Sequence, residues 1–309
     1  MKKLSFPILV IGVLIFGLFF YVQINAQGEK GVGISPLTFE ITANPGEVFT
    51  NQVKVYNPSD STIGVKMEIE DFTVTGEIGH VITEPAETET YSIARWITFD
   101  PAEFALQPGE QKFVNFTISV PKNAEPGGHY GAVLAGTTAV IGGEFVGTAV
   151  ATRVGSLVLL SVSGPVKEDL RVKEFLTPHY SEYGPIKFTI RFENKGTIHV
   201  KPKSIITITN WLGKKIADVE VPQNNVLPNS VRRVETVFNK KWFWAGKYTA
   251  TLTGNYGISN NSLIPDVITF WAFPWKIGLG ILIIIIFFIL TRRRWIAALR
   301  VLIMGERKI

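Results

Sequence analysis

The chain of 309 residues contains no cysteine. That excludes a disulfide-stapled scaffold, thiolate zinc sites, CxxC redox chemistry and cysteine nucleophiles. Histidine is almost as scarce: only His80, His129, His179 and His199 occur, no two within five residues of each other. No helical or hairpin metal pair follows from that spacing. Charged residues make up 18%, below the usual quarter. No P-loop, GxGxxG, GxSxG or HExxH occurs, and no loop has the alternating Asp/Asn and Gly of a calcium site. Gly155-Ser156 runs on into Leu157-Val158 without the tight elbow of a hydrolase nucleophile. The pairs Glu68/Glu70 and Glu87/Glu89 share one strand face at i,i+2 spacing, which is usually the solvated face. The sequence points away from an enzyme and implies no cofactor, metal or small-molecule substrate.

Apolar residues are abundant, at 46%, and the mean hydropathy of +0.21 places part of the chain in lipid. Met1-Lys2-Lys3 precedes an uncharged apolar stretch that ends at Ile24-Asn25-Ala26. Residues 1–26 therefore read as a secretory signal cleaved after Ala26, or as an uncleaved anchor. At the other end, Trp271-Ala272-Phe273-Pro274-Trp275-Lys276 leads into an unbroken apolar run, and Arg292-Arg293-Arg294 follows. The 18 residues 273–290 make about 27 Å of helix, enough to cross a bilayer core. Trp271 and Trp275 fit an aromatic belt, Lys276 the outer headgroups, and Arg292, Arg293 and Arg294 a cytoplasmic stop. The predicted topology is single-pass in the plasma membrane. Residues 271–291 span it, the basic tail 292–309 is cytoplasmic, and the bulk of the chain is extracytoplasmic.

Between the ends, apolar residues alternate with polar ones, as in Val53 and Val55, then Val65, Met67 and Ile69, then Phe188, Ile190 and Phe192. This is the period of half-buried strands. Frequent turn signals such as Asn57-Pro58, Pro108-Gly109 and Asn224-Asn225 indicate β-sandwiches. An internal repeat supports two of them. One copy has a strand ending at Asn57, then Leu106-Gln107-Pro108, then Gly128-His129-Tyr130. The other has a strand ending at Asn194, then Leu227-Pro228, then Gly246-Lys247-Tyr248. Tyr130 and Tyr248 each open a late strand, like the tyrosine corner of Ig-type sandwiches. The fold predicted is all-β, with tandem Ig-like/PapD-like sandwiches at 27–164 and 165–270 plus the C-terminal transmembrane helix. Residues 152–163 form a long apolar strand, apolar on both faces through Leu157–Leu160, which indicates a central or interface strand.

The first copy carries about 17 extra residues between its Asn and its Leu–Pro turn, placed within 72–92. That insertion contains Glu77, Glu84, Glu87 and Glu89 and reads as a β excursion plus loop, a position where binding residues collect. Trp242 and Trp244, after Lys240-Lys241, share a strand face and are further candidate contacts. Charge is divided between the copies. Residues 27–164 hold 7 Lys/Arg and 16 Asp/Glu, whereas residues 165–270 hold 15 and 9. The overall pI of 9.2 thus does not imply nucleic acid; the basic half lies next to the membrane, where anionic headgroups favour it.

Several short motifs carry a family resemblance. They are Ile34-Ser35-Pro36, Leu106-Gln107-Pro108-Gly109-Glu110, Val120-Pro121 and Pro126-Gly127-Gly128-His129-Tyr130. Arg153-Val154-Gly155-Ser156 leading to Val162-Ser163-Gly164 adds to them, with the two motifs of the second copy. With these the chain resembles the WxL-interacting proteins of Gram-positive cell surfaces and, more broadly, exported PapD-like or Ig-like bacterial proteins. The resemblance implies a peptidoglycan-binding first domain and a second domain that binds partner surface proteins or host ligands. The function expected is a membrane-anchored surface protein that binds cell-wall polymer or another exported protein. The alternative is a chaperone-like assembly factor for surface proteins or appendages.

Overall fold

The computed structural model describes residues 31–84, 91–141, 144–146, 152–240 and 245–304. Two β-sandwiches follow one another, and a long helix closes the chain.

In the first sandwich, β1 (Gly33–Ser35), β3 (Val48–Tyr56), β8 (Gln111–Ser119) and β6 (Ile97–Asp100) form one sheet in that order. The facing sheet has β2 (Thr38–Ala43), β11 (Arg153–Val162), β9 (Gly127–Ile141), β4 (Ile63–Thr75) and β5 (His80–Glu84) in that order. β7 (Glu103–Leu106) joins it beside β4, and β10 (Glu144–Val146) beside β9. The second sandwich has β12 (Leu170–Leu176), β14 (Ile186–Asn194) and β17 (Ser230–Phe238) on one side. Opposite lie β13 (Tyr180–Ser181), β20 (Asp266–Ala272), β18 (Gly246–Tyr256), β15 (Lys203–Asn210) and β16 (Lys215–Glu220), with β19 (Asn261–Ser262) beside β18.

The repeat seen in the sequence is a repeat of topology. β1, β3 and β8 match β12, β14 and β17. β2, β11, β9, β4 and β5 match β13, β20, β18, β15 and β16 in the same order. In both copies the first strand moves from one sheet to the other, and its second half pairs in parallel with the last strand. The pairings are β2 with β11 and β13 with β20. Each copy also has a buried asparagine where its third strand ends. Asn57 is 1% exposed and Asn194 is fully buried. The Asn57 carboxamide donates to Ser61 O at 2.8 Å and to Leu106 O at 3.1 Å, while its oxygen accepts the Ser59 N–H. The Asn194 carboxamide donates to Ile198 O and Val226 O, both at 2.8 Å, and accepts the Gly196 N–H. The Asn and the Leu–Pro turn recur together because one side chain closes the local turn and fastens the distant loop to it.

Each sandwich has its own core. Val53, Val55, Phe116 and Ile118 meet Val65, Met67, Val133 and Leu160 in the first. Phe188, Ile190 and Phe192 meet Ile206, Ala250, Leu252 and Phe270 in the second. Full burial of such a side chain is worth about 1.5–3 kcal/mol. β11 is apolar on both faces for two reasons. Val158 and Leu160 face their own core, and Leu159 turns outward into a smaller cluster shared with Leu227 of the second domain.

Only Phe273 and Pro274 separate β20 from α1 (Trp275–Met304). Among the described residues, one helix is long and apolar enough to cross a membrane, over Trp275–Ile296, and none of it is buried in the protein. The helix continues through Arg292, Arg293 and Arg294.

Candidate functional site: the domain junction

The described structure brings its most unusual polar groups together where the sandwiches meet. Besides the Gly128 N–H, which donates to Thr197 O at 3.0 Å, three polar contacts between them frame the site. The first comes from Tyr130 on β9. Its position next to Gly suggested a corner within its own domain, but the hydroxyl crosses to the other. Tyr130 Oη accepts the backbone N–H of His199 at 2.9 Å and lies 3.3 Å from His199 Nδ1. The ring is 4% exposed and packs among Phe72, Tyr91 and His199. Burial drives the phenol pKa up. Which of Oη and Nδ1 donates in that second contact follows the tautomer of the imidazole.

The second contact is Glu40 on β2. It accepts from Lys201 Nζ and from Asn225 Nδ2, each at 2.8 Å. The hydrogen bond from Lys201 is the largest cause of its lowered pKa. The third is the tip of the β4–β5 hairpin, within the sequence insertion. The Glu77 carboxylate is forked by Arg191, with Nε at 2.8 Å and Nη2 on the second oxygen, and Arg191 Nη1 reaches Glu174 at 2.8 Å. The Glu77 carbonyl accepts the N–H of Arg233 on β17. Hydrogen bonding from Arg191 holds the Glu77 carboxyl below its usual range. The opposite net charges of the two copies therefore meet as ion pairs at their boundary.

Between these contacts lies a cleft of about 330 Å³. Phe72, Leu159 and Leu227 form its apolar floor, and Val81 on β5 and Arg232 on β17 are at its sides. The Arg232 guanidinium lies against Gly79, where a Cβ would collide with it. Gly79 has φ +72°, so both its backbone and its missing side chain are required there. Among the described residues Arg232 has no carboxylate partner; its Nε is buried without an acceptor, as is Asn225 Oδ1 without a donor. Burial lowers the Arg232 pKa. A cation above an apolar floor can receive an anionic group attached to an apolar side chain, while the unpaired Asn225 oxygen would accept a donor such as a backbone N–H.

The sequence candidates fall in several places. Glu77 is in the junction, engaged by Arg191. Glu84 ends β5, opposite Asp71. Glu87, Glu89, Trp242 and Trp244 lie outside the described residues. Trp271 is the next-to-last residue of β20, 56% exposed. Trp275 and Lys276 open α1, with Lys276 Nζ 3.0 Å from Glu182 and 5.8 Å from the centre of the Trp275 ring. Sequence reasoning missed Arg232, although a signal existed. In β17, Arg232 shares a strand face with the buried Val234, so a charge stands in register with the core.

Burial holds the His199 imidazole at a pKa of about 4, with Glu40 opposing that shift. In the unfolded chain the group titrates near 6.5. The unfolded state thus binds more protons between those values, so stability is complete above about 6.5 and falls as the pH drops towards about 4. The expected loss is about 2–3 kcal/mol. Urea unfolding of the full chain in detergent from pH 8 to 4 measures it. His199→Asn should flatten the curve above pH 4.5, and an unchanged slope would place the titration elsewhere.

No protein-family model matches the chain, and no curated protein matches it. Solved structures of pilus chaperones are similar over both sandwiches. A chaperone–tip adhesin complex of CFA/I fimbriae biogenesis is 11% identical, covering 78% of this chain and 98% of that one, with a TM-score of 0.40. The CupB2 chaperone of Pseudomonas aeruginosa is 11% identical, covering 77% and 98%, with a TM-score of 0.36. A chaperone–tip adhesion subunit pre-assembly complex of archaic chaperone-usher pili from Acinetobacter baumannii is 14% identical, covering 66% and 89%, with a TM-score of 0.34. Likenesses this loose define neither a family nor a function.

Proposed function

We propose that the chain is a single-pass, membrane-anchored protein that grips an extended segment of another exported protein at the domain junction and performs no catalysis. The observation that carries this reading is Arg232, a half-buried cation without a counter-charge among the described residues, beside an apolar floor. Retaining such a group costs stability unless something binds it. β5 supplies the second element. Among the described strands it pairs only with β4, so one edge offers free N–H and C=O groups beside the cleft. An incoming strand added there would pass Val81 and deliver an acidic group to Arg232, the β-augmentation mode of peptide capture. Glu77 contributes by fixing the hairpin through Arg191. Glu84, Glu87, Glu89, Trp242 and Trp244 are proposed as outlying contacts. Anchoring is assigned to α1, with Trp271, Trp275 and Lys276 at the outer boundary and Arg292, Arg293 and Arg294 inside.

The full chain, purified in detergent and immobilised, tests the reading against two ligands, insoluble cell wall and exported proteins from the envelope. Retention of a defined protein, lost in Arg232→Glu, is expected. Retention of wall polymer alone would instead favour the peptidoglycan contact implied by the family resemblance. Retention of neither would contradict both. A surface-protein receptor and an assembly factor would use this same cleft and differ in how long the partner stays.

A further inference from the structure

The end of the second sandwich nearest α1 carries a group of apolar side chains for which neither core has a use. The β15–β16 hairpin ends in Trp211 and Leu212, 67% and 68% exposed. The turn that displays them is firmly built. Asn210 Oδ1 accepts the N–H groups of Leu212 at 3.1 Å and Lys214 at 2.9 Å, Asn210 O accepts the Gly213 N–H, and Gly213 takes the left-handed φ of +76° that the turn needs. Two large apolar side chains are thus held in water by a defined loop.

Their position relative to the helix is also fixed. The Trp211 ring lies against Gly246, and Gly246 pairs with Ala272, the last residue of β20. Two residues later α1 begins. The joint is clamped: Tyr180 Oη donates to Phe273 O at 2.6 Å, the Phe273 N–H reaches Ser181 O at 3.2 Å, and Lys276 pairs with Glu182. Between Trp271, Phe273, Tyr180 and Gly246 is an open, mainly apolar recess of about 470 Å³. Lys214 and Lys247 are exposed nearby.

We infer that this end of the second sandwich, led by Trp211 and Leu212, is seated in the outer headgroup layer of the bilayer that α1 crosses. The inference rests on the membrane-spanning reading of α1. A helix whose apolar stretch starts at Trp275 puts the water–lipid boundary at that residue, and a clamped two-residue joint leaves no linker to lift the domain away. Indole rings favour that boundary, leucine is driven into it, and nearby lysines meet lipid phosphates. Continuity with the anchor selects lipid over a protein as the occupant. The docked domain would then project the junction cleft away from the membrane instead of swinging freely.

The absence of cysteine makes the test direct, because a single introduced thiol is a unique labelling site. Leu212→Cys, Ile258→Cys and Ile284→Cys are labelled with an environment-sensitive dye in the full chain, reconstituted in vesicles of zwitterionic and anionic phospholipid with quenchers at shallow or deep acyl positions. Ile258 is 76% exposed near the junction, and Ile284 is mid-helix. The shallow quencher should act on position 212 roughly three-fold more than on 258, and the deep one most on 284. Quenching at 284 with 212 no different from 258 overturns the docking and leaves the anchor intact. No quenching at 284 overturns the anchor, and the docking with it. Protection of 212 by added envelope protein instead of lipid would also overturn the inference.

Discussion

Replacing Asn194 by alanine is expected to destabilise the second sandwich by about 3–5 kcal/mol. The side chain is fully buried and makes three hydrogen bonds to backbone groups, to Ile198 O, Val226 O and the Gly196 N–H. Truncation leaves all three without a partner in a place water does not reach. Each such group costs about 1–3 kcal/mol. Relaxation of the loop recovers part of that sum. Asn194→Asp should cost at least as much, because it sets an acceptor against two carbonyl oxygens. Asn57→Ala should act similarly on the first sandwich, where four bonds involve the carboxamide nitrogen or reach its oxygen from the backbone. Asn255, exposed and bonded only to the Asn260 side chain, is the control, with an expected change within about 0.5 kcal/mol. Chemical denaturation of the full chain in detergent measures all four. A loss below about 1 kcal/mol for Asn194→Ala would mean that the repeated motif is not what closes the fold.

The second large effect concerns binding. Arg232→Ala should weaken partner binding by about 2 kcal/mol, or roughly 30-fold, the range of a buried arginine anchor. Arg232→Glu should weaken it further, since it sets like charges together. Folding should move in the opposite sense. Arg232 has no carboxylate partner among the described residues, and its Nε is buried unsatisfied, so alanine removes an uncompensated group. Glu77→Gln supplies the contrast. It weakens the grip of Arg191 on the hairpin without touching the cleft cation, so it should loosen binding less and disturb domain coupling more. Titration of the isolated partner against each variant, with unfolding curves in parallel, checks both halves. A variant that loses stability and keeps its affinity would make Arg232 a structural residue.

The strands and their duplication were legible because both leave local marks. Phe188, Ile190 and Phe192 alternate with half-buried residues, and the Asn and Leu–Pro signals recur in order because one hydrogen-bond cluster needs both. The helix was legible from length and composition. The junction was not, because it is made of long-range contacts. Tyr130 and His199 are 69 positions apart, and Glu40 and Asn225 are 185 apart. No period in the sequence encodes such a pairing. Glu77 read as a free loop acid because its partner lies in the other domain. The unequal charge of the two copies was visible, and its meaning became clear only when Glu40 met Lys201 and Glu77 met Arg191. Arg232 stood in the core-facing register of a strand, and that conflict between charge and period was the one local trace of the cleft.

A photocrosslinking residue placed at Val81, beside the cleft, in the intact envelope tests the gripping site most directly. A second probe at Phe113, exposed on the other sheet of the first sandwich, reports background. A discrete protein adduct from position 81, absent from position 113 and abolished by Arg232→Glu, is the result predicted. An adduct that forms equally from both positions, or that survives Arg232→Glu, would contradict a grip at the junction.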